Sequence, residues 1–375
     1  MRKLRFVTPA LLFLFAGLAH NGVDAQPRLL FSTKSPTSIG QHDLGAGATD
    51  ILITTNMTEV LGVVVDTVHR KIYWANNPAT GPAVIERANL DGSNREALNI
   101  PGLMNLTDIT IDYISGKLLW VDLGAQKIMR ANFDGSNPQT LRNGVKPMGV
   151  MVNCTFNKIY WSEQHANPGG GKIFRMELDG SQQEEVIKYD GKPVKLATDC
   201  FDNKIYWTDE TNKAIYVSDP GGLKVETLLE FAGTQRPYGI AADQDAGIVY
   251  WTDYLNDLVS AVYINSATVE EVFTETNPRA LFWYIARPVS SGEPANDPFG
   301  LELSPNPAEN RLTVTLNVIS LPATGSISSA DGRLWKTLTL TPGRNDIAIS
   351  ELPAGAYLLQ VQQDNQGAIR RFIKK

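Results

Sequence analysis

The chain has 375 residues, is 43% hydrophobic and 20% charged, and carries a formal charge of −6 with two cysteines. A mildly acidic balance with no basic block argues against nucleic acid and anionic membrane as main partners. Cys154 and Cys200 are too few for a disulfide framework or a zinc site, and the length is enough for two domains with ample cores.

Residues 1–25 open with Arg2, Lys3 and Arg5, followed by an apolar run from Phe6 to Ala19 that is too short for a convincing membrane span. Val23-Asp24-Ala25 before Gln26 fits signal-peptidase cleavage, the alternative being an N-terminal anchor. Cleavage would remove three positive charges and one negative and leave −8. The mature chain is therefore expected outside the cytoplasm.

From there the sequence repeats. "KIYWAN" (71–76), "KLLWVD" (117–122), "KIYWSE" (158–163), "KIYWTD" (204–209) and "IVYWTD" (248–253) place tryptophans at 74, 120, 161, 207 and 251, in steps of 46, 41, 46 and 44 residues. Such a period marks a solenoid or a propeller. In the fourth unit "PVKLATD", "KIYWTD", "KAIYVSD" and "KVETLLE" follow in order between residues 193 and 230. All are short, rich in β-branched and aromatic residues, and separated by turn formers. "LDGSN" (90–94), "FDGSN" (133–137) and "LDGSQ" (178–182) put Asp-Gly between third and fourth strands, where positive φ is needed. Each unit is thus a four-stranded meander. "RLLFST", "SIGQHDL" and "TDILI" (28–53) supply three strands of a further unit, and "NPRALFWYIA" (277–286) supplies its missing first strand. The expected fold is an all-β, six-bladed β-propeller over 26–286, with one blade built from both ends of the repeat region. Tyr and Trp of each motif should point to opposite faces and pack between blades, with a carbohydrate-stacking stripe as the minority reading.

These motifs, with "IERANLDGSN" (85–94), "IMRANFDGSN" (128–137) and "IFRMELDGSQ" (173–182), resemble the YWTD propeller of the low-density-lipoprotein receptor family over roughly 28–287. Asn76 and Glu163 stand in the aspartate slot, and Leu119 replaces a tyrosine. The cysteine-rich module of the receptors has no counterpart here, so the resemblance does not imply receptor function.

Residues 287–298, "RPVSSGEPANDP", read as a linker. After it, 299–375 reads as a small immunoglobulin-like β-sandwich. Pro305-Asn306-Pro307, Asp331-Gly332, "LPAGAY" with Gly355 and Tyr357, and the basic C-terminal end resemble the type A sorting domain of the bacterial type IX secretion system, with Ser304 where a tyrosine is usual. The resemblance implies partnership with that secretion machinery and its surface peptidase, and attachment to lipopolysaccharide or release at the cell surface. A plain binding sandwich is the alternative.

No G-x-S-x-G, HExxH or Walker sequence occurs, and His20, His42, His69 and His165 are scattered. Asp66, Asp112, Asn153, Asp199 and Asp243 recur at the end of each first strand. In lactonase-type propellers a few such residues hold a divalent cation that activates water, whereas regular repetition at one slot favours turn capping. No cofactor is expected, and calcium is the cation that oxygen ligands of this kind would take. Cys154 and Cys200 fall at the same slot of neighbouring blades, too far apart to pair, and are expected as buried thiols. Two function classes remain: a module binding a protein or glycan partner, or a metal-dependent hydrolase or lyase at the channel. Loops at 75–83, 162–171, 188–193 and 232–239 lie on one face and nominate Asn76, Asn77, Glu163, His165, Arg236, Tyr238 and Tyr254 as binding residues.

Overall fold

The computed structural model describes residues 26–67, 69–113, 115–153, 156–164, 170–199, 203–243, 246–286, 301–316, 323–329, 333–363 and 366–375, and among them every regular element is a strand. The signal segment, Cys154, Cys200, His165, the linker and the Asp331-Gly332 turn lie outside these residues.

Six four-stranded antiparallel sheets follow one another between residues 26 and 286. Their inner strands are Val60–Asp66, Leu106–Asp112, Pro147–Asn153, Pro193–Asp199, Pro237–Asp243 and Pro278–Ala286. Each lies beside the inner strand of the next sheet, and Pro278–Ala286 lies beside both Pro237–Asp243 and Val60–Asp66. Pro278–Ala286 pairs with Gln26–Lys34, which pairs with Thr37–Asp43 and then Ala48–Ile53. The first sheet is therefore one late strand joined to three early ones, as the complementary ends require.

The motif aromatics explain why the sheets stack. Successive side chains on a strand point to opposite faces. Tyr73 accordingly packs with Trp120, Tyr160 with Trp207 and Tyr206 with Trp251, each tyrosine meeting the tryptophan of the next sheet. Leu119 takes the tyrosine position against Trp161. In the first sheet Leu30 faces the Trp74 layer and Phe31 the Tyr250 layer. Each buried tryptophan contributes on the order of 5 kcal/mol, at ~25 cal/mol per Å2 over roughly 200 Å2.

Arginines on the third strands add a polar tie between sheets. Arg87, Arg130 and Arg175 donate to the carbonyls of Phe133 (3.0 Å), Leu178 (2.6 Å) and Pro220 (3.1 Å) in the following sheet. Glu96, Gln139 and Glu184 on the fourth strands hold the guanidinium groups in place. The Asp-Gly turns fit beneath the preceding sheet: Gly92 has φ 81°, and a Cβ there would sit 2.6 Å from the Leu52 carbonyl. Asp91 does a different task, accepting the Ser93 amide at 2.9 Å.

Residues 301–375 form two further sheets, Leu301–Ser304/Arg311–Leu316/Gly343–Ala348 and Leu334–Leu340/Ala323–Ser329/Gly355–Gln363/Gln366–Lys374. Their shared core includes Leu312, Val314, Ile327, Leu359, Val361 and Phe372. Tyr357 stacks on Phe372 at 5.5 Å and donates its hydroxyl to the Pro353 carbonyl at 2.9 Å. In the Pro305-Asn306-Pro307 corner, Asn306 accepts the Ile373 amide at 2.9 Å and donates to the Arg371 carbonyl at 3.2 Å. Gly355 pairs with Lys374. The sorting motifs thus hold the C-terminal strand.

Candidate functional site

The loops joining one sheet to the next, and the loops between second and third strands, emerge on one face. The motif aspartates pin them there. Asp209 accepts the amides of Lys192 (2.8 Å) and Asn212 (2.7 Å) and the Tyr189 hydroxyl (2.6 Å). Asp122 accepts three amides, from Met104, Asn105 and Ala125, at 2.9 Å each. Asp253 holds the Arg236 amide at 3.1 Å and the Asn256 side chain at 2.7 Å.

Two nominated binding residues occupy this same structural slot. Asn76 and Glu163 are only 4% and 5% exposed. Asn76 donates to Glu86 at 2.8 Å and to the Asn56 carbonyl at 3.2 Å, and Glu163 accepts the Trp161 indole N–H at 2.7 Å. A buried polar group must be paired where water cannot reach it, so Asn76 is committed to the loop at Asn56 and Glu163 to the Trp161 indole. Asn77 is committed too, accepting the Leu106 amide and donating to the Leu106 carbonyl, both at 2.8 Å.

The inner strands begin at this face, and their third residues are Gly62, Asp108, Gly149, Lys195, Gly239 and Ala280. Space demands the glycines: a Cβ on Gly149 would lie 2.4 Å from the Val194 carbonyl. Asp108 and Lys195 break the pattern and meet. Lys195 Nζ is 2.9 Å from Asp108 Oδ1 and also donates to the Thr107 carbonyl, while Asp108 Oδ2 accepts the Val150 amide at 3.1 Å. Burial pushes the Asp108 carboxyl up and the Lys195 ammonium down, against the attraction between them. The pair lines the same channel as apolar residues such as Val63, Ile109, Val150 and Ile240.

Beside the pair, the structure brings Tyr238 and Tyr254 together, edge to face at 6.0 Å. The Arg279 guanidinium lies 3.9 Å from the Tyr254 ring centre and 5.3 Å from that of Tyr238. Tyr254 donates its hydroxyl to Glu210 at 2.8 Å. Arg236 turns to the Gln235 carbonyl at 3.2 Å. Tyr238 is 6% exposed, so its ring is a wall of this cluster. Reading the strands one at a time missed Asp108, Lys195 and Arg279. Aligning the six strand starts would have shown three charges among glycine, alanine and apolar residues.

The acids at the other ends of the inner strands serve the turns that follow. Asp66 accepts the His69 amide at 3.0 Å and lies 2.6 Å from His69 Nδ1. Asp112 accepts the Ser115 amide (3.0 Å), Asn153 the Phe156 amide (2.9 Å) and Asp243 the Ala246 amide (3.1 Å). Asp199 is buried at the matching position. Among the described residues no three His, Cys, Asp or Glu side chains converge as they would around a metal ion.

Comparison with known proteins accords with both halves of this architecture. Residues 302–375 match the family described as the secretion system C-terminal sorting domain. Low-density lipoprotein receptor-related protein 5 of Homo sapiens is 31% identical over 145 residues, which covers 38% of this chain and 9% of that protein. Low-density lipoprotein receptor-related protein 1 of Pyricularia oryzae is 29% identical over 259 residues, covering 57% of this chain and 81% of that protein. The chain thus spans under a tenth of the human relative and about four-fifths of the fungal one. A solved nidogen/laminin complex contains a chain with the same fold, at TM-score 0.61 and 20% identity, covering 68% of this chain and 98% of that one. The chain joins a YWTD β-propeller to a secretion-system sorting domain, and that domain marks it for export by the type IX system to the cell surface or the extracellular space.

Proposed function

We propose that the propeller is a non-enzymatic module that binds a protein partner on its loop-bearing face, after removal of residues 1–25 and delivery by the sorting domain. Cleavage of residues 299–375 by the surface peptidase, with attachment to lipopolysaccharide or release, belongs to the same reading. The observation that carries it is the build of the channel mouth. The buried Asp108–Lys195 pair sits at the starts of two inner strands, and Asp122, Asp209 and Asp253 fix the surrounding loops. Rigidly held loops around a neutralised charge pair form a platform for a broad partner. The similarity to receptor-related proteins supports protein binding. Exposed Met104 and Leu255 project from the loop-bearing face, whereas exposed Leu223 lies on the opposite face.

The test places a photoreactive amino acid at position 104, 255 or 223 of the exported protein on living cells. Crosslinks to one protein from 104 and 255, and none from 223, are expected. Equal capture from all three positions would sink the reading, and a glycan product would change the partner class. Calorimetric titration with calcium supplies the second arm: tight one-site binding, lost in Asp199→Asn or Asp243→Asn, would replace the binding module with the metal-dependent hydrolase.

A further inference from the structure

The Arg279 guanidinium has no carboxylate, carbonyl or hydroxyl partner among the described residues, and its Nε is shut off from solvent with nothing to donate to. Elsewhere in the propeller, Lys195 is satisfied by Asp108, Arg95 by Glu86, and Arg175 by Glu184 and the Pro220 carbonyl, while Arg28 and Arg142, whose Nε atoms also lack a partner, still pair through their terminal nitrogens with Asp43 and Gln183. A chain with more acids than bases has carboxylates to spare, so an unpaired guanidinium at the centre of the loop-bearing face stands out.

Its surroundings keep it in one orientation. The Tyr254 ring covers the flat face of the guanidinium at 3.9 Å, and Tyr254 is itself held by its hydroxyl on Glu210. Stacking of this kind satisfies the π face of an arginine and leaves the in-plane N–H fork free, which matches a carboxylate in two parallel hydrogen bonds. Lys195 is already neutralised by Asp108, and Arg236 turns to the Gln235 carbonyl, which leaves Arg279 as the cation of the cluster without a partner among the described residues.

We propose that Arg279 on its Tyr254–Tyr238 platform receives a side-chain carboxylate from an acidic peptide segment of the partner. The inference rests on the protein-binding reading above. A uronic acid would bring the same group, but a sugar ring needs an open aromatic face. Arg279 covers one face of Tyr254, and Tyr238 is buried. A peptide needs no such face. Leu255, next to Tyr254 and 54% exposed, offers apolar contact for its neighbouring residues.

The test uses the full chain with 15N-arginine labelling, following the Nε–H resonance that disappears in Arg279→Lys. N-acetyl-aspartate amide should shift it saturably, while N-acetyl-asparagine amide and glucuronate at equal concentration leave it in place. Arg279→Lys keeps the charge without the planar fork and should weaken aspartate binding about tenfold, read from protection of the neighbouring Tyr254 signals. Tyr254→Leu, removing the platform, should weaken it while Arg279 remains. No saturable shift, or a stronger response to glucuronate, overturns the inference. If position 255 still crosslinks its protein equally well in Arg279→Gln, the carboxylate site fails while the binding face stands.

Discussion

The fifth sheet (193–230) and the second (60–97) perform the same packing with different side chains. Around Trp207 the motif is complete. Thr208 accepts the Lys195 amide at 3.2 Å and donates to the Tyr238 carbonyl of the next sheet at 2.7 Å. Asp209 binds two loop amides and Tyr189, and Tyr189 in turn accepts the Trp207 indole N–H at 3.0 Å. Around Trp74 the matching residues are Ala75 and Asn76, and the Trp74 indole nitrogen is buried without a hydrogen-bond partner. There Asn77 takes over the tie to the following inner strand, and Arg95 lies over the Trp74 ring at 5.4 Å. Buried aromatic area is what the two sheets share; the polar motif residues finish the loops and can be replaced from neighbouring positions.

The largest effect is expected where the fifth sheet departs furthest from the second. Gly62 of the second sheet corresponds to Lys195 of the fifth. Lys195→Met leaves Asp108 buried and uncompensated and should cost about 3–5 kcal/mol in denaturant unfolding, whereas Lys195→Met with Asp108→Leu should recover most of it. Equal losses in the single and double variants would show that the pair is not coupled. Next comes Asp209→Ala, which strands two loop amides and the Tyr189 hydroxyl and should cost about 2–4 kcal/mol. Asn76→Ala should cost about 1–2 kcal/mol, and a reversed order would contradict the assigned partners. Thr208→Val should cost about 1 kcal/mol, and Ala75→Val, with no hydrogen bond to lose, is the control for its shape.

The smallest effect concerns the turn after each inner strand. His69 in the second sheet leans on Asp66, and that hydrogen bond raises its pKa above the ordinary value; the sequence of the fifth sheet, 193–230, contains no histidine. A raised histidine adds stability that is fully present below its unfolded pKa of about 6.5 and is lost as pH rises through the folded value. Because the side chain is 60% exposed, solvent screening holds the gain to about 0.5 kcal/mol or less. NMR titration should place the His69 midpoint above the ordinary value and bring it down in Asp66→Asn, and an unchanged midpoint would remove Asp66 as the cause.

The repeat made the sheets legible because an aromatic pair at a fixed phase of a strand has one good place to go, between neighbours. The complementary strand counts at the two ends identified the mixed first sheet for a similar reason: unpaired edges need partners. The site was harder. A polar residue after a motif tryptophan reads alike whether it faces solvent or a buried partner, so both Asn76 and Glu163 read as binding residues, whereas Asn76 holds the Asn56 carbonyl and Glu163 the Trp161 indole. Asp108 and Lys195 lie 87 residues apart, and only the arrangement of the inner strands of the third and fifth sheets brings them to 2.9 Å. Arg279 belongs to a strand legible by its position, yet what an arginine lacks cannot be read from the letters beside it.

The mixed first sheet also sets an order of events. Its strands at 26–53 leave the ribosome more than two hundred residues ahead of Pro278–Ala286, the strand they pair with. Until that strand arrives they keep an open edge, and the Trp74 layer lacks Tyr284 and Ala280. The sorting domain is translated only after this last strand. Any chain that carries the export address therefore already holds every strand its propeller needs, and one broken off before residue 278 has neither.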